Sequence, residues 1–287
     1  VRRRVDSPLY VLIAVAAILI TGGLLLRAGY RHGRPQPQGL EVLYRPLRSP
    51  EDIESLSGPA VPPVTYTRGV SLAGLPVDEK KQKFFDMLLP SVLIAKHKLA
   101  NLRREIARID SLSERTSEEE LWLQAMLERY RAENARQLML RLRDHPNSLV
   151  MAQAALESGW GTSRFFREGL NLFGVWSFDE NEPRMPAGET RGDYRVYVKR
   201  YPSLLGSVED YFLTLGRGPY SDFRRARTQV RDPLELAEHL ENYSELGEEY
   251  VRRVALTIRS NDLDRYDAYR LDPLYRSTEG DDTPPGR

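Results

Sequence analysis

Apolar and polar positions change rhythm several times along the chain. Residues 9–26 form a nearly unbroken apolar run without a charge, about the minimum a helix needs to cross a bilayer. Residues 31–78 lose any period and carry Pro35, Pro37, Pro46, Pro50, Pro59, Pro62, Pro63 and Pro76. Proline lacks a backbone donor and restricts the residue before it, so this stretch is predicted to be a tether rather than helix or central strand. From Asp78 the rhythm turns helical. Phe84, Phe85, Leu88, Val92, Leu99, Leu102 and Ile106 predict a helix over 83–109, with Pro90 as a break or kink. Leu121, Met126, Leu127, Tyr130, Leu138 and Leu142 predict a second over 118–143. A third follows, with Leu149, Ala152, Ala155 and Leu156 on one face, Asn147 or Ser148 as cap, and Gly159 and Gly161 to stop it.

Beyond this third helix the pattern is mixed. Asp179 to Pro183 is loop-like and Pro186-Ala187-Gly188 is a turn signal. The β-branched and aromatic run 194–198 predicts a short strand, with an earlier one over 172–178. Helices are predicted again at 207–215, 233–243 and 248–259, before a polar end at 277–287. The expected fold is mainly α with a small β-hairpin lobe, preceded by a transmembrane helix. Its parts are an anchor at 1–30, a linker at 31–78, a helical region at 79–146, the main domain at 147–268 and a tail at 269–287.

Charge and composition narrow the chemistry. A formal net charge of +1 argues against nucleic acid as the main partner. The absence of cysteine excludes disulfides, thiol nucleophiles and cysteine-bound metals. His32, His97, His145 and His239 have no metal-ligand spacing and are expected at the surface or at helix ends, so no metal is implied. Arg2, Arg3 and Arg4 precede the apolar run, as in a signal anchor, and no small-residue cleavage site follows it. Arg27, Arg31 and Arg34 balance them, so charge alone does not orient the segment.

Glu157 is the candidate for chemistry. It ends an apolar helix and is followed at once by Ser158-Gly159-Trp160-Gly161. A carboxyl at such a junction can face a cleft while apolar neighbours desolvate it, which raises its pKa toward that of a general acid.

The run Ala-Gln-Ala-Ala-Leu-Glu-Ser-Gly-Trp-Gly at 152–161, followed by Asn171-Leu172-Phe173-Gly174, resembles the glucosaminidase domain of glycoside hydrolase family 73. Phe84-Phe85-Asp86-Met87-Leu88-Leu89-Pro90 extends the similarity upstream and points to the Bax-like branch of that family. The resemblance covers about residues 80–268. It implies a lysozyme-like fold and cleavage of peptidoglycan glycan chains at N-acetylglucosamine, with no cofactor and with Glu157 as catalytic acid. A second carboxylate is expected on the β-lobe. Thr190-Arg191-Gly192-Asp193-Tyr194 matches the family pattern with one extra residue and aspartate for glutamate, so Asp193 is the first candidate and Glu189 the fallback. If neither serves, the substrate's acetamido oxygen can act as internal nucleophile. Trp160, Phe173, Tyr220, Tyr243 and Tyr250 are the expected groove aromatics, since sugar rings pack their apolar faces on such side chains.

Two other functions remain open at this point. A lytic transglycosylase acting beside N-acetylmuramic acid needs only one acid/base glutamate, and a non-hydrolytic peptidoglycan-binding scaffold needs none. A wall substrate would put the domain outside the cytoplasmic membrane, on the periplasmic or cell-wall side. Oligomeric state stays open.

Overall fold

The computed structural model describes residues 40–191, 194–272 and 275. The expected anchor at 9–26, the first part of the expected linker and Asp193 lie outside the described residues. Among the described residues no helix is long and apolar enough to cross a membrane. The fold from Glu41 onward is mostly helical with small strands.

Its axis is α1 (Val77–Asp110), which runs through Pro90 without a break. Every residue from Phe84 to Ala95 is buried, so packing from all sides holds the turn that lacks proline's donor. The single helix expected over 118–143 is two: α2 (Ser117–Tyr130) and α3 (Ala135–Arg141). Arg131 adopts a left-handed conformation (φ 53°) at the end of α2, and Asn134 caps α3. The apolar stripe continues across the junction, which hides the break from a periodicity reading.

Residues 41–76 are not a free tether. Strand β1 (Leu43–Arg45) pairs in parallel with β3 (Val64–Tyr66), and β2 (Ala60–Val61) pairs with β6 (Arg270–Leu271). Leu47, Ile53, Val61, Val64, Tyr66 and Leu72 are buried. The wrap is fastened by polar contacts as well: Lys83 Nζ donates to the Ile53 carbonyl at 3.0 Å, and the Leu205 N–H donates to Thr65 Oγ1 at 3.0 Å. The strands are two or three residues long, too short to show a period between the prolines. The expected tail likewise begins as strand β6.

Helix α4 (Asn147–Ser158) carries Glu157. It does not bury one face as expected. Asn147 through Ala155 are all buried, with α1, α8 (Pro233–Ala237), α9 (Glu248–Ser260) and the 3-10 turn Leu263–Ala268 packed around them. Neither Asn147 nor Ser148 caps it. Asp267 accepts from the Ser148 N–H at 2.9 Å and from its hydroxyl at 2.7 Å, so the cap comes from a residue 119 positions away. Asn147 instead donates to the Tyr266 carbonyl and accepts from Lys96.

The β-lobe is a hairpin of β4 (Arg184–Arg191) and β5 (Tyr194–Lys199). The expected turn at Pro186-Ala187-Gly188 is an irregularity inside β4, which loses register between Pro186 and Thr190. The expected strand at 172–178 shrinks to a bridge between Trp176 and Val198. Asn171 ties this segment to the hairpin: its amide donates to the Val175 and Lys199 carbonyls, and its oxygen accepts from the Val175 N–H, each at 3.0 Å. Asn171→Ala would remove all three of these bonds from half-buried backbone groups, leaving the Val175 carbonyl only the Lys199 N–H at 2.9 Å. It is expected to lower stability by about 2–3 kcal/mol, read from the urea midpoint, with cleavage by added protease inside 172–199. An unchanged midpoint would show that the loop is held by other contacts.

The chain then returns through α6 (Leu204–Arg217) and α7 (Ser221–Ala226). Helix α5 (Arg164–Gly169) connects the glutamate helix to the loop ahead of the hairpin. Where one helix was expected over 233–243, α8 passes into a 3-10 turn, Glu238–Tyr243.

Candidate active site

Glu157 sits where α4 leaves the core. The residues before it are buried, while Leu156 and Glu157 are half-buried. Gly159, Trp160 and Gly161 follow with positive φ of 57°, 59° and 74°, so the chain turns sharply away. Only glycine takes this conformation without cost. At Gly161 a Cβ would also come within 3.1 Å of the Leu72 side chain and 3.2 Å of Phe84. Trp160 bears the strain because its ring is wedged edge-on against Phe85 (5.5 Å) and Phe84 (6.1 Å), with the Lys81 ammonium 5.2 Å from its centroid. Ser158 staples the turn: its hydroxyl donates to the Ala154 carbonyl at 2.6 Å and accepts from the Gly161 N–H at 3.1 Å. The glycines, serine and tryptophan of the motif thus fix where the chain leaves the helix, one residue after the carboxyl.

Burial pushes the Glu157 carboxyl above its ordinary pKa, and the neighbouring Tyr250 hydroxyl pulls the other way. Tyr250 lies on α9 and is itself buried. Its ring stacks on Tyr243 at 5.5 Å and 15°. Tyr243 neighbours Tyr220 at 5.9 Å and Tyr211 at 6.5 Å. Tyr220, Tyr243 and Tyr250, expected from sequence as groove aromatics, are therefore brought together around Glu157, and the Tyr220 and Tyr243 hydroxyls are pushed up chiefly by burial, with its charge adding to the effect.

Phe173 has a different place. It is 4% exposed and stacks on Tyr211 at 4.3 Å, so it backs the tyrosine wall from the core instead of offering a face to a sugar. Trp160 packs against the base of α1, as described above. Glu189 lies on β4, in its irregular stretch.

The pattern Tyr201-Pro202-Ser203 with Ser207, Asp210 and Tyr211 has structural uses. Ser203 caps α6 through the Gly206 N–H, Ser207 accepts from the Leu172 N–H, and the Tyr201 hydroxyl donates to Asp210 at 2.7 Å. Lys199 pairs with the same carboxylate at 3.1 Å. These contacts hold the end of β5 to α6.

Behind the wall lies a buried polar chain that motif reading missed. The Gln153 amide donates to the Tyr250 hydroxyl at 3.0 Å, and its oxygen accepts from the Tyr211 hydroxyl at 2.7 Å. His145 Nε2 lies 2.9 Å from the same Tyr211 hydroxyl. His145 stands at a helix end, just before the Pro146 that opens α4, but it is fully buried and not at the surface, because α1, α6 and α7 close over it. The available signal was Gln153 itself. A polar residue inside the run Leu149–Ala155 must be buried with partners, since buried amides are nearly always hydrogen-bonded.

Among the described residues no cluster of histidines and carboxylates could hold a metal ion. The arrangement offers a carboxyl whose pKa burial raises, an aromatic wall beside it, and a hydroxyl near enough to favour the carboxylate left after proton transfer.

Known proteins are similar to part of this chain. Protein bax of Escherichia coli K12 is 34% identical over 112 residues, covering 37% of this chain and 39% of its own. Peptidoglycan hydrolase FlgJ of Salmonella typhimurium is 36% identical over 85 residues, covering 26% of this chain and 27% of its own. The similarity thus spans well under half the length of either relative. Among solved structures, the catalytic domain of the autolysin Auto from Listeria monocytogenes aligns at 21% identity and a TM-score of 0.38, over 58% of this chain and 96% of that one. The family model described as glucosaminidase, mannosyl-glycoprotein endo-beta-N-acetylglucosaminidase, matches residues 132–263. That span, which holds Glu157, the tyrosine wall and the buried chain behind it, belongs to the glucosaminidase family.

Proposed function

We propose that this protein is a peptidoglycan hydrolase of lysozyme-like architecture. It cleaves glycan chains at N-acetylglucosamine, with Glu157 as general acid. The observation that carries the reading is the half-buried Glu157, raised by desolvation and faced by the Tyr250 hydroxyl at the edge of an aromatic wall. Glycoside cleavage needs a proton on the leaving oxygen and stabilisation of a developing oxocarbenium ion, and a carboxyl whose pKa burial raises is suited to the first. Membership of the glucosaminidase family and the named activity of the FlgJ relative support the substrate class. Soluble fragments released from dye-labelled peptidoglycan by the purified protein would bear this out. A folded protein that binds the polymer without releasing dye would instead be a scaffold.

The second carboxylate is proposed to be Asp193, which stabilises positive charge or positions water, with Glu189 as its fallback. Asp193→Asn is expected to lower turnover strongly and Glu189→Gln only mildly. The reverse order would transfer the role to Glu189. Two mild effects would favour the substrate's acetamido group.

The proposal extends to location. The apolar run at 9–26 anchors the chain in the cytoplasmic membrane, and the hydrolase faces the wall. The protein is expected to stay in the membrane fraction through alkaline carbonate, and protease added to spheroplasts is expected to digest the domain. Protection in intact spheroplasts would put it in the cytoplasm and contradict a wall substrate.

A further inference from the structure

We propose that His145 is a positioning residue for Glu157, acting across the core through a one-way chain of hydrogen bonds that runs from its Nε2–H through Tyr211, Gln153 and Tyr250 to the carboxyl. The proposal rests on the reading of Glu157 as the acid and deepens it.

The direction follows from what each group can donate. Tyr211 has one hydrogen, which it gives to Gln153 Oε1 at 2.7 Å, so toward His145 its oxygen must accept. The His145 proton then sits on Nε2. Gln153, with its oxygen taken by Tyr211, turns its amide N–H to Tyr250 at 3.0 Å. The Tyr250 oxygen is thereby occupied as an acceptor, and its own hydrogen is left to turn toward Glu157, which follows Gln153 by one turn on the same face of α4.

The opposite sense has every donor reversed and requires the imidazole proton on Nδ1. That nitrogen is buried and has no hydrogen-bond partner among the described residues. As an acceptor it loses little, whereas a buried N–H with nothing to receive it carries the full cost of leaving water. The histidine therefore decides which way a symmetric row of hydroxyls and amide points.

The surroundings keep it neutral. Lys96 of α1 donates to the His145 carbonyl at 3.0 Å, Arg227 follows α7 and Arg231 lies just beyond. Asp144 pairs with Lys96 (3.5 Å) and Arg231 (3.2 Å). The rings of Tyr211, Phe212 and Phe223 cover the imidazole at 5.0–5.6 Å. A second proton on His145 would add a cation among three others in an aromatic box, so the ring stays neutral well below its ordinary range.

The consequence for the acid is specific. With the sense fixed, Tyr250 always offers a donor, which orients the Glu157 carboxyl and strengthens as the proton leaves. Without His145 both senses become available, and in one of them Glu157 must donate its own proton inward to Tyr250.

The test uses the full-length protein with His145→Phe, His145→Gln and Tyr211→Phe, each checked by thermal melting. Both His145→Phe and Tyr211→Phe are expected to show roughly 3- to 10-fold lower kcat, near one hydrogen bond's worth. KM should be unchanged, and the alkaline limb of kcat/KM should move to higher pH as the acid loses a donor to its ionised form. His145→Gln keeps an amide N–H near the Nε2 position and is expected to restore both kcat and the limb. Tyr211→Phe keeps its ring against Phe173 and decides the matter if His145→Phe does not fold. A folded variant with the limb in its wild-type place, whatever its kcat, would overturn the proposal by showing a structural role alone. Nitrogen-15 NMR of the wild-type imidazole reads the tautomer without reference to activity: a proton on Nε2 is expected, and one on Nδ1 would overturn the proposal even in an active hydrolase. A wild-type protein that releases no glycan fragments would defeat the hydrolase reading instead, which the NMR result does not touch.

Discussion

Glu157→Gln is expected to lower turnover of peptidoglycan about 10²-fold or more without loss of the fold. Glutamine keeps the size of the side chain, and its amide oxygen can still accept from Tyr250, but it has no proton to give a leaving oxygen. The variant should also be at least as stable as the wild type near neutral pH. A carboxyl whose folded pKa is raised stabilises the fold only while protonated, so stability falls as pH rises from the unfolded pKa through the folded one. An amide does not ionise and avoids that loss. An inactive variant with an unchanged or higher melting point is thus the signature of an acid held at a cost to stability. An inactive and unfolded variant would leave no support for it, and a folded variant with near wild-type turnover would remove Glu157 from the chemistry.

Tyr250→Phe is expected to have the second largest effect. The phenol hydroxyl accepts from the Gln153 amide and holds the Glu157 pKa down against burial, and both effects go when it is removed. A hydrogen bond to a charged group is worth about 1.5–3 kcal/mol, so kcat should fall roughly 10- to 100-fold. The pH profile distinguishes the cause. The acid must be protonated to act, and its ionisation sets the alkaline limb of kcat/KM. Burial raises the Glu157 pKa and the Tyr250 hydrogen bond lowers it, so removing the bond leaves burial unopposed and the limb should shift to higher pH. A fall in kcat with the limb shifted downward would mean that Tyr250 does not donate to the ionised acid.

The parts of this site that follow helical or motif spacing were legible in the sequence. The helix over 147–158, its end at Gly159, and the exposure of a carboxyl at that end all follow from Leu149, Ala152, Ala155, Leu156 and the glycines. The assembly of Tyr220, Tyr243 and Tyr250 around it came from the family resemblance, since no periodic pattern joins residues on three separate elements. What stayed hidden depends on contacts across the chain. Asp267 caps a helix that begins 119 residues earlier, and His145 becomes a core residue only once α6 and α7 have closed over it. Residues 41–76 show the same limit from the other side. Their prolines describe local backbone correctly, but pairing with β6 and burial of Leu47, Ile53 and Val61 turn an extended segment into part of the body. Phe173 shows how a residue in a recognised motif can serve the site at one remove, by backing Tyr211.

The bond cleaved is the centre of the account, and mass spectrometry of peptidoglycan digested by the purified protein reads it most directly. New reducing ends on N-acetylglucosamine, absent from a parallel Glu157→Gln digest, are the predicted result. New ends on anhydro-N-acetylmuramic acid would show a lytic transglycosylase and contradict it.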